Sequence, residues 1–213
     1  MKGLITTALL VGVVSYSPAV KSEPLFYGPL IPGALCKSDI EPEPLEFHQH
    51  VRPLADLISQ GEGNWTSVNR GWAGDTPGGI QRLTGKTFDM YTVGQVLDMQ
   101  RGWLYAVGRY QFIPKTLRYA VSVSEVSYGD RFNSDTQDKL FAALLNHKRP
   151  AVGSYIRGEH GNKNWALNEL AREWASVEYS YGRGYYDGYA GNRAKISRYR
   201  AGIVLDELRA TYK

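Results

Sequence analysis

Glu62 stands between two glycines, Gly61 and Gly63, directly after a stretch in which Val51, Leu54, Leu57 and Ile58 share one helical face. A carboxylate at the end of such a helix lies close to the core and to the negative pole of the helix dipole. Both disfavour the ionised form, so its pKa should rise. A carboxylic acid that keeps its proton can protonate the leaving oxygen of a glycosidic bond. The flanking glycines let backbone and ligand approach closely. Taken by itself the pattern also fits an ordinary solvated helix end. Asp75 is the leading candidate for a second carboxylate, ahead of Asp89 and Asp98. The run Asp75-Thr76-Pro77-Gly78 is equally good turn chemistry, so both readings of Asp75 stand.

A second segment, Gly108-Arg109-Tyr110-Gln111-Phe112-Ile113-Pro114, places a glycine, an aromatic and a glutamine ahead of a proline suited to a first helical turn. A third carries Trp174-Ala175-Ser176 and then Tyr181-Gly182. In this order and spacing, with Glu62-Gly63 in front, the motifs resemble the lysozyme-like superfamily. The nearest resemblance is to the lambda phage endolysin family of lytic transglycosylases. It covers roughly residues 50–205. It implies a mainly α (α+β) lysozyme-like fold, a helical domain with a small glycine-rich loop or β lobe. It implies a catalytic acid at Glu62, a glycan-binding amide at Gln111 with Tyr110 beside it, and an aromatic near the scissile bond at Tyr181. The substrate implied is the peptidoglycan glycan strand, cut at the β-1,4 bond between MurNAc and GlcNAc.

Hydrolysing glycosidases generally use two carboxylates. Lytic transglycosylases use one, because the C6 hydroxyl of the muramic acid is an internal nucleophile. The resemblance therefore favours the transglycosylase with no cofactor, and a hydrolytic muramidase using Asp75 comes second. A non-catalytic wall-binding or virion structural module is a third reading. Arg109 reads as an ion-pair partner rather than a substrate contact, and Tyr110 also fits a core position. Tyr179, Tyr181, Tyr185, Tyr186 and Tyr189 form an aromatic loop suited either to sugar faces or to packing. The segment Asn69 to Pro77 and a longer loop from Arg183 to Asn192 depart from the family pattern.

The elements that must hold these residues are mostly helical. The spacing predicts a helix over 51–59 stopped by Gly61, then a loop or small hairpin around Thr76-Pro77-Gly78-Gly79. Thr92-Val93-Gly94-Gln95 fits a capping box, as does Ser134-Asp135-Thr136-Gln137. Pro114 and Pro150 each suit the first turn of a helix. Residues 165–176 read as an amphipathic helix with Leu167, Leu170 and Trp174 inward. A last helix over 193–211 is expected to bury Ile196, Tyr199, Ile203 and Leu208.

The front of the chain is different. Lys2 and the apolar run from Leu4 to Val14, with Ser17-Pro18-Ala19 behind it, read as a signal peptide over 1–19 or an uncleaved N-terminal anchor. That implies export to the periplasm or beyond, with phage-encoded delivery to a host wall as one route. Membrane contact is expected only through this segment. Five prolines between Pro24 and Pro44 make 20–45 a linker, with the catalytic domain over 46–213. Among 213 residues, 43% are hydrophobic and 22% charged, as in soluble globular domains. Cys36 is the sole cysteine, which excludes an internal disulfide. No Cys/His cluster has metal-ligand spacing. The net charge of +4 suits an anionic wall polymer, and no basic run interleaved with aromatics points to nucleic acid. A monomer is expected.

Overall fold

The computed structural model describes residues 45–189 and 191–212. The expected signal or anchor, and the linker up to residue 44, lie outside the described residues. The described chain is mainly α, with nine helices and four very short strands. A short α1 (Phe47–His50) leads into α2 (Arg52–Glu62). Pro53 opens α2, where its missing N–H costs nothing, and Leu54, Ala55, Leu57 and Ile58 are its buried face. The helix does not stop at Gly61 as expected. It runs one residue further, so that Glu62 is its last residue and Gly63 its cap.

The glycine-rich segment folds as β1 (Val68–Asn69), a tight loop closed by an Asn69–Asp75 bridge, and α3 (Gly79–Thr84). Of the two readings for 76–79, the loop holds and the hairpin does not form; Gly78 and Gly79 lead into α3. The partner of β1 is β2 (Ala106–Val107), reached only after α4 (Val93–Gly102). The two strands are antiparallel, with Val68 opposite Val107 and Asn69 opposite Ala106. Thr92 and Gln95 form the expected capping box on α4, and Pro114 opens α5 (Pro114–Ser122).

α6 (Ser134–Ala143) is capped by Asn133, not by Ser134. The capping box expected there does not form, because the amide of Gln137 is used elsewhere. Its Oε1 accepts from the Arg109 N–H at 2.9 Å, while its Nε2 donates to the carbonyls of Trp65 and Phe132, each at 3.2 Å. One buried side chain thus joins the segment after Glu62 to the turn before Gln111. A π-helical turn (Leu144–Lys148) links α6 to α7 (Pro150–Ile156).

α8 (Lys163–Glu173) ends before Trp174 and is followed by the pair β3 (Glu178–Ser180) and β4 (Arg183–Gly184). The last helix, α9 (Arg198–Thr211), starts later than expected. The amides of Lys195 and Ile196 both donate to the Ser176 carbonyl, and Glu178 N–H to the Ile196 carbonyl, so this stretch stays extended. Ile196 and Leu208 are buried, but Tyr199 and Ile203 face solvent, against expectation.

α2 packs on α1, α6 and α9, and α7, α8 and α9 pack on one another. Through this core runs an aromatic spine. Tyr110 stacks on Phe141 with ring centres 4.4 Å apart, and Phe141 lies 5.0 Å from Trp174. The spine ties the neighbour of Gln111 to the segment containing Ser176. Replacing Gln137 by Ala orphans three backbone groups at once. Gln137→Ala is expected to destabilise the protein by about 2–4 kcal/mol, read as a lower urea midpoint with an unchanged m-value.

Candidate active site

Glu62 is the last residue of α2, and each of its neighbours touches a different wall. A Cβ at Gly61 would lie 2.3 Å from the Ser176 Cβ, and one at Gly63 would lie 2.7 Å from the Ser67 Oγ. Both glycines are required by close approach. Gly63 is in extended backbone that any residue can adopt, so the constraint there is space and not torsion. The Gln111 Nε2 stands 3.5 Å from that same virtual Cβ of Gly63. The structure therefore sets the Gln111 amide beside Gly63, the residue after Glu62, on the Ser67 side, while the Glu62 carboxyl itself bonds to Ser176.

The Glu62 carboxyl is half-buried, and its Oε1 accepts a hydrogen bond from the Ser176 N–H at 3.2 Å. Burial holds its pKa above the usual carboxylate value. The Ser176 hydroxyl and N–H and the nearby Lys195 ammonium pull the other way, and the negative charge of Asp75 adds to the rise. Burial wins, as desolvation does for a carboxyl that lacks a close, fully paired cation. Lys195 also reaches the Gly61 carbonyl at 3.4 Å.

Gln111 sits at the end of the turn Gly108 to Gln111 in left-handed backbone, with φ 48°. Few non-glycine residues adopt that region, at a cost of about 1–2 kcal/mol. Its Nε2 donates to the Gly108 carbonyl at 2.9 Å, which fixes the amide plane beside Gly63. Tyr181 has the same backbone peculiarity, with φ 50°. With Gly182 at φ 73° it forms the two-residue turn between β3 and β4 that matches strand twist. Its side chain is fully exposed.

Two of the expected residues need correction or refinement. Tyr110 is 2% exposed and belongs to the core, so it does not offer its ring to a ligand. Its hydroxyl donates to the buried Asp138, and burial pushes the phenol pKa well up. Asp75 is exposed and held by Asn69, whose Nδ2 donates to its Oδ1 at 2.8 Å. It closes a loop, as the turn reading has it, yet its charge still reaches Glu62. Arg109 takes the structural role expected of it. It pairs with Asp56 and lies 4.4 Å above the Trp65 ring. In the tyrosine loop, Tyr179, Tyr185 and Tyr186 pack edge to face, leaving Tyr181 and Tyr189 outward.

Ser176, Lys195 and Ser67 were not marked as site residues by sequence. Ser176 lies in a motif that was visible, but its contact with Gly61 spans more than a hundred positions. Among the described residues, no group of three His, Cys, Asp or Glu could hold a metal, and no helix is long and apolar enough to cross a membrane. The chain matches no family model, no curated protein and no solved structure.

A carboxyl whose folded-state pKa is raised favours the folded state most while protonated. That contribution is complete below the unfolded-state value and is lost as pH rises through the folded-state value. Glu62→Gln removes the cost of the ionised form and can keep the bond from the Ser176 N–H. The variant is expected to be more stable than wild type at pH 7, with the gap closing by pH 4. Urea titrations across that range measure it, and a gap that widens on acidification would contradict the raised pKa.

Proposed function

We propose that this chain is a peptidoglycan-cleaving glycosidase of lysozyme-like fold that acts as a lytic transglycosylase, with Glu62 as acid and then base. The observation that carries this reading is the setting of Glu62: a half-buried carboxyl with a raised pKa, flanked by two closely packed glycines, with the Gln111 amide beside the second of them. The arrangement suits a polymer of sugars, because the glycines on either side of the acid let backbone and strand approach closely. A central helix ending at the acid, with a small β1–β2 lobe on one side, supports the lysozyme-like part of the proposal.

In the proposed reaction Glu62 donates its proton to the glycosidic oxygen, and the bond from MurNAc C1 to that oxygen breaks. The C6 hydroxyl of the same MurNAc attacks C1. Its proton returns to Glu62, closing a 1,6-anhydro ring, and no water is consumed. Gln111 holds the strand by hydrogen bonds, and Ser176 and Lys195 stabilise the carboxylate while it is ionised. Tyr181 contributes an exposed aromatic face. Export through the segment 1–19 belongs to the same proposal. The electrostatic influence of Asp75 on Glu62 favours hydrolytic muramidase chemistry as the second reading.

Digestion of purified sacculi followed by mass spectrometry of the muropeptides tests the proposal. Anhydro ends are expected. Reducing MurNAc ends would assign the hydrolytic chemistry, and the absence of soluble products would leave a wall-binding module. Glu62→Gln should lower turnover by roughly 10²–10⁴-fold, the usual contribution of a positioned general acid. Wild-type activity should fall as pH rises through the Glu62 pKa, because the acid form is then lost. A Glu62→Gln variant as active as wild type would refute the assignment.

A further inference from the structure

Trp72 is fully exposed, the most exposed large hydrophobic side chain among the described residues. A tryptophan that leaves its whole surface in water adds nothing to the core. Yet the loop that carries it is closely built. Asn69 and Asp75 bridge its base, joined also by their side chains at 2.8 Å. Inside, Gly71 N–H donates to the Asn69 Oδ1 at 2.8 Å, Arg70 N–H to the Gly74 carbonyl at 2.9 Å, and Gly74 N–H to the Gly71 carbonyl at 2.9 Å. Gly71 and Gly74, with φ 66° and 69°, supply the left-handed turns that lift Trp72 and Ala73 outward. Polar backbone bonds hold the loop, and its one large hydrophobic side chain is free for something else.

The loop belongs to the wall of the candidate site. Ser67 lies beside Gly63, and from Ser67 the chain runs as β1, about 3.3 Å per residue, into the loop. Asp75 at the loop base acts electrostatically on Glu62. Tyr105, half-exposed, is tied to the same edge, its N–H donating to the Asn69 carbonyl at 2.8 Å and its Cβ lying beside Gly71. Trp72 is thus carried on the loop whose base, the Asn69–Asp75 bridge, acts on Glu62.

We infer that Trp72, with Tyr105 beside its loop, is a stacking platform for a sugar ring of the glycan strand beyond the two rings that flank the scissile bond. Aromatic faces bind the apolar faces of sugars, and a rigid loop loses little freedom on doing so. The platform gives the chain a grip on long strands that short fragments cannot use. It rests on the glycan-cleaving reading above.

The test uses the Glu62→Gln chain, which binds without cutting. Co-sedimentation with purified sacculi is compared among Glu62→Gln, Glu62→Gln with Trp72→Ala, and Glu62→Gln with Trp72→Phe. The Ala change should raise the half-saturating concentration about tenfold, the upper range for one aromatic stack, and Phe should recover most of the loss. A GlcNAc–MurNAc disaccharide should bind all three alike. Longer fragments should change the tryptophan fluorescence of Glu62→Gln but not that of the Trp72→Phe form. Equal sedimentation of the Ala and parent forms, or an equal loss for the disaccharide, overturns the platform. Failure of the two proposals is distinguishable. Anhydro products without any Trp72 effect remove the platform and leave the activity. Trp72-dependent sedimentation by a wild type that releases no product leaves the platform and removes the activity.

Discussion

The structure depends on keeping one carboxyl at a helix end partly out of water while the backbone on both sides of it touches other parts of the chain. Gly61 is pressed against Ser176 and Gly63 against Ser67, so the backbone on both sides of Glu62 is hemmed in. A methyl group at either glycine would separate the walls. The raised pKa follows from that confinement more than from any single charge nearby.

Confinement of this kind is useful only if the walls are rigid, and the core supplies the rigidity. Tyr110, Phe141 and Trp174 pack in series behind the turn that carries Gln111, joining it to the segment that carries Ser176. Gln137 binds that turn to the segment after Glu62 through three backbone groups. Strained backbone at Gln111 and Tyr181 is tolerated because surrounding contacts over-determine each turn. The charge balance around Glu62 is set in the same spirit. Burial and Asp75 favour the acid, Ser176 and Lys195 favour the carboxylate, and burial outweighs the rest.

Much of this was legible in the sequence because it depends on neighbours in the chain. Apolar spacing marked the helices, Thr92 with Gln95 marked a cap, and Pro114 and Pro150 marked helix starts. The mainly α class follows from such local signals, which hydrogen bonds over three or four residues enforce. Glu62 and Gln111 were legible as residue types in a motif, and the Gln111 amide lies beside Gly63, the residue after Glu62.

Tertiary structure decided what distant segments do to one another. It sent Tyr110 into the core, carried α2 past Gly61, and used Gln137 as a bracket instead of a cap. It drew residues 193–197 into extended pairing at Ser176, leaving Tyr199 and Ile203 outside. It also left Trp72 on a closed loop in water. Local periodicity cannot foresee these outcomes, because each is set by which far-off backbone groups and side chains compete for the same partner once the chain is compact.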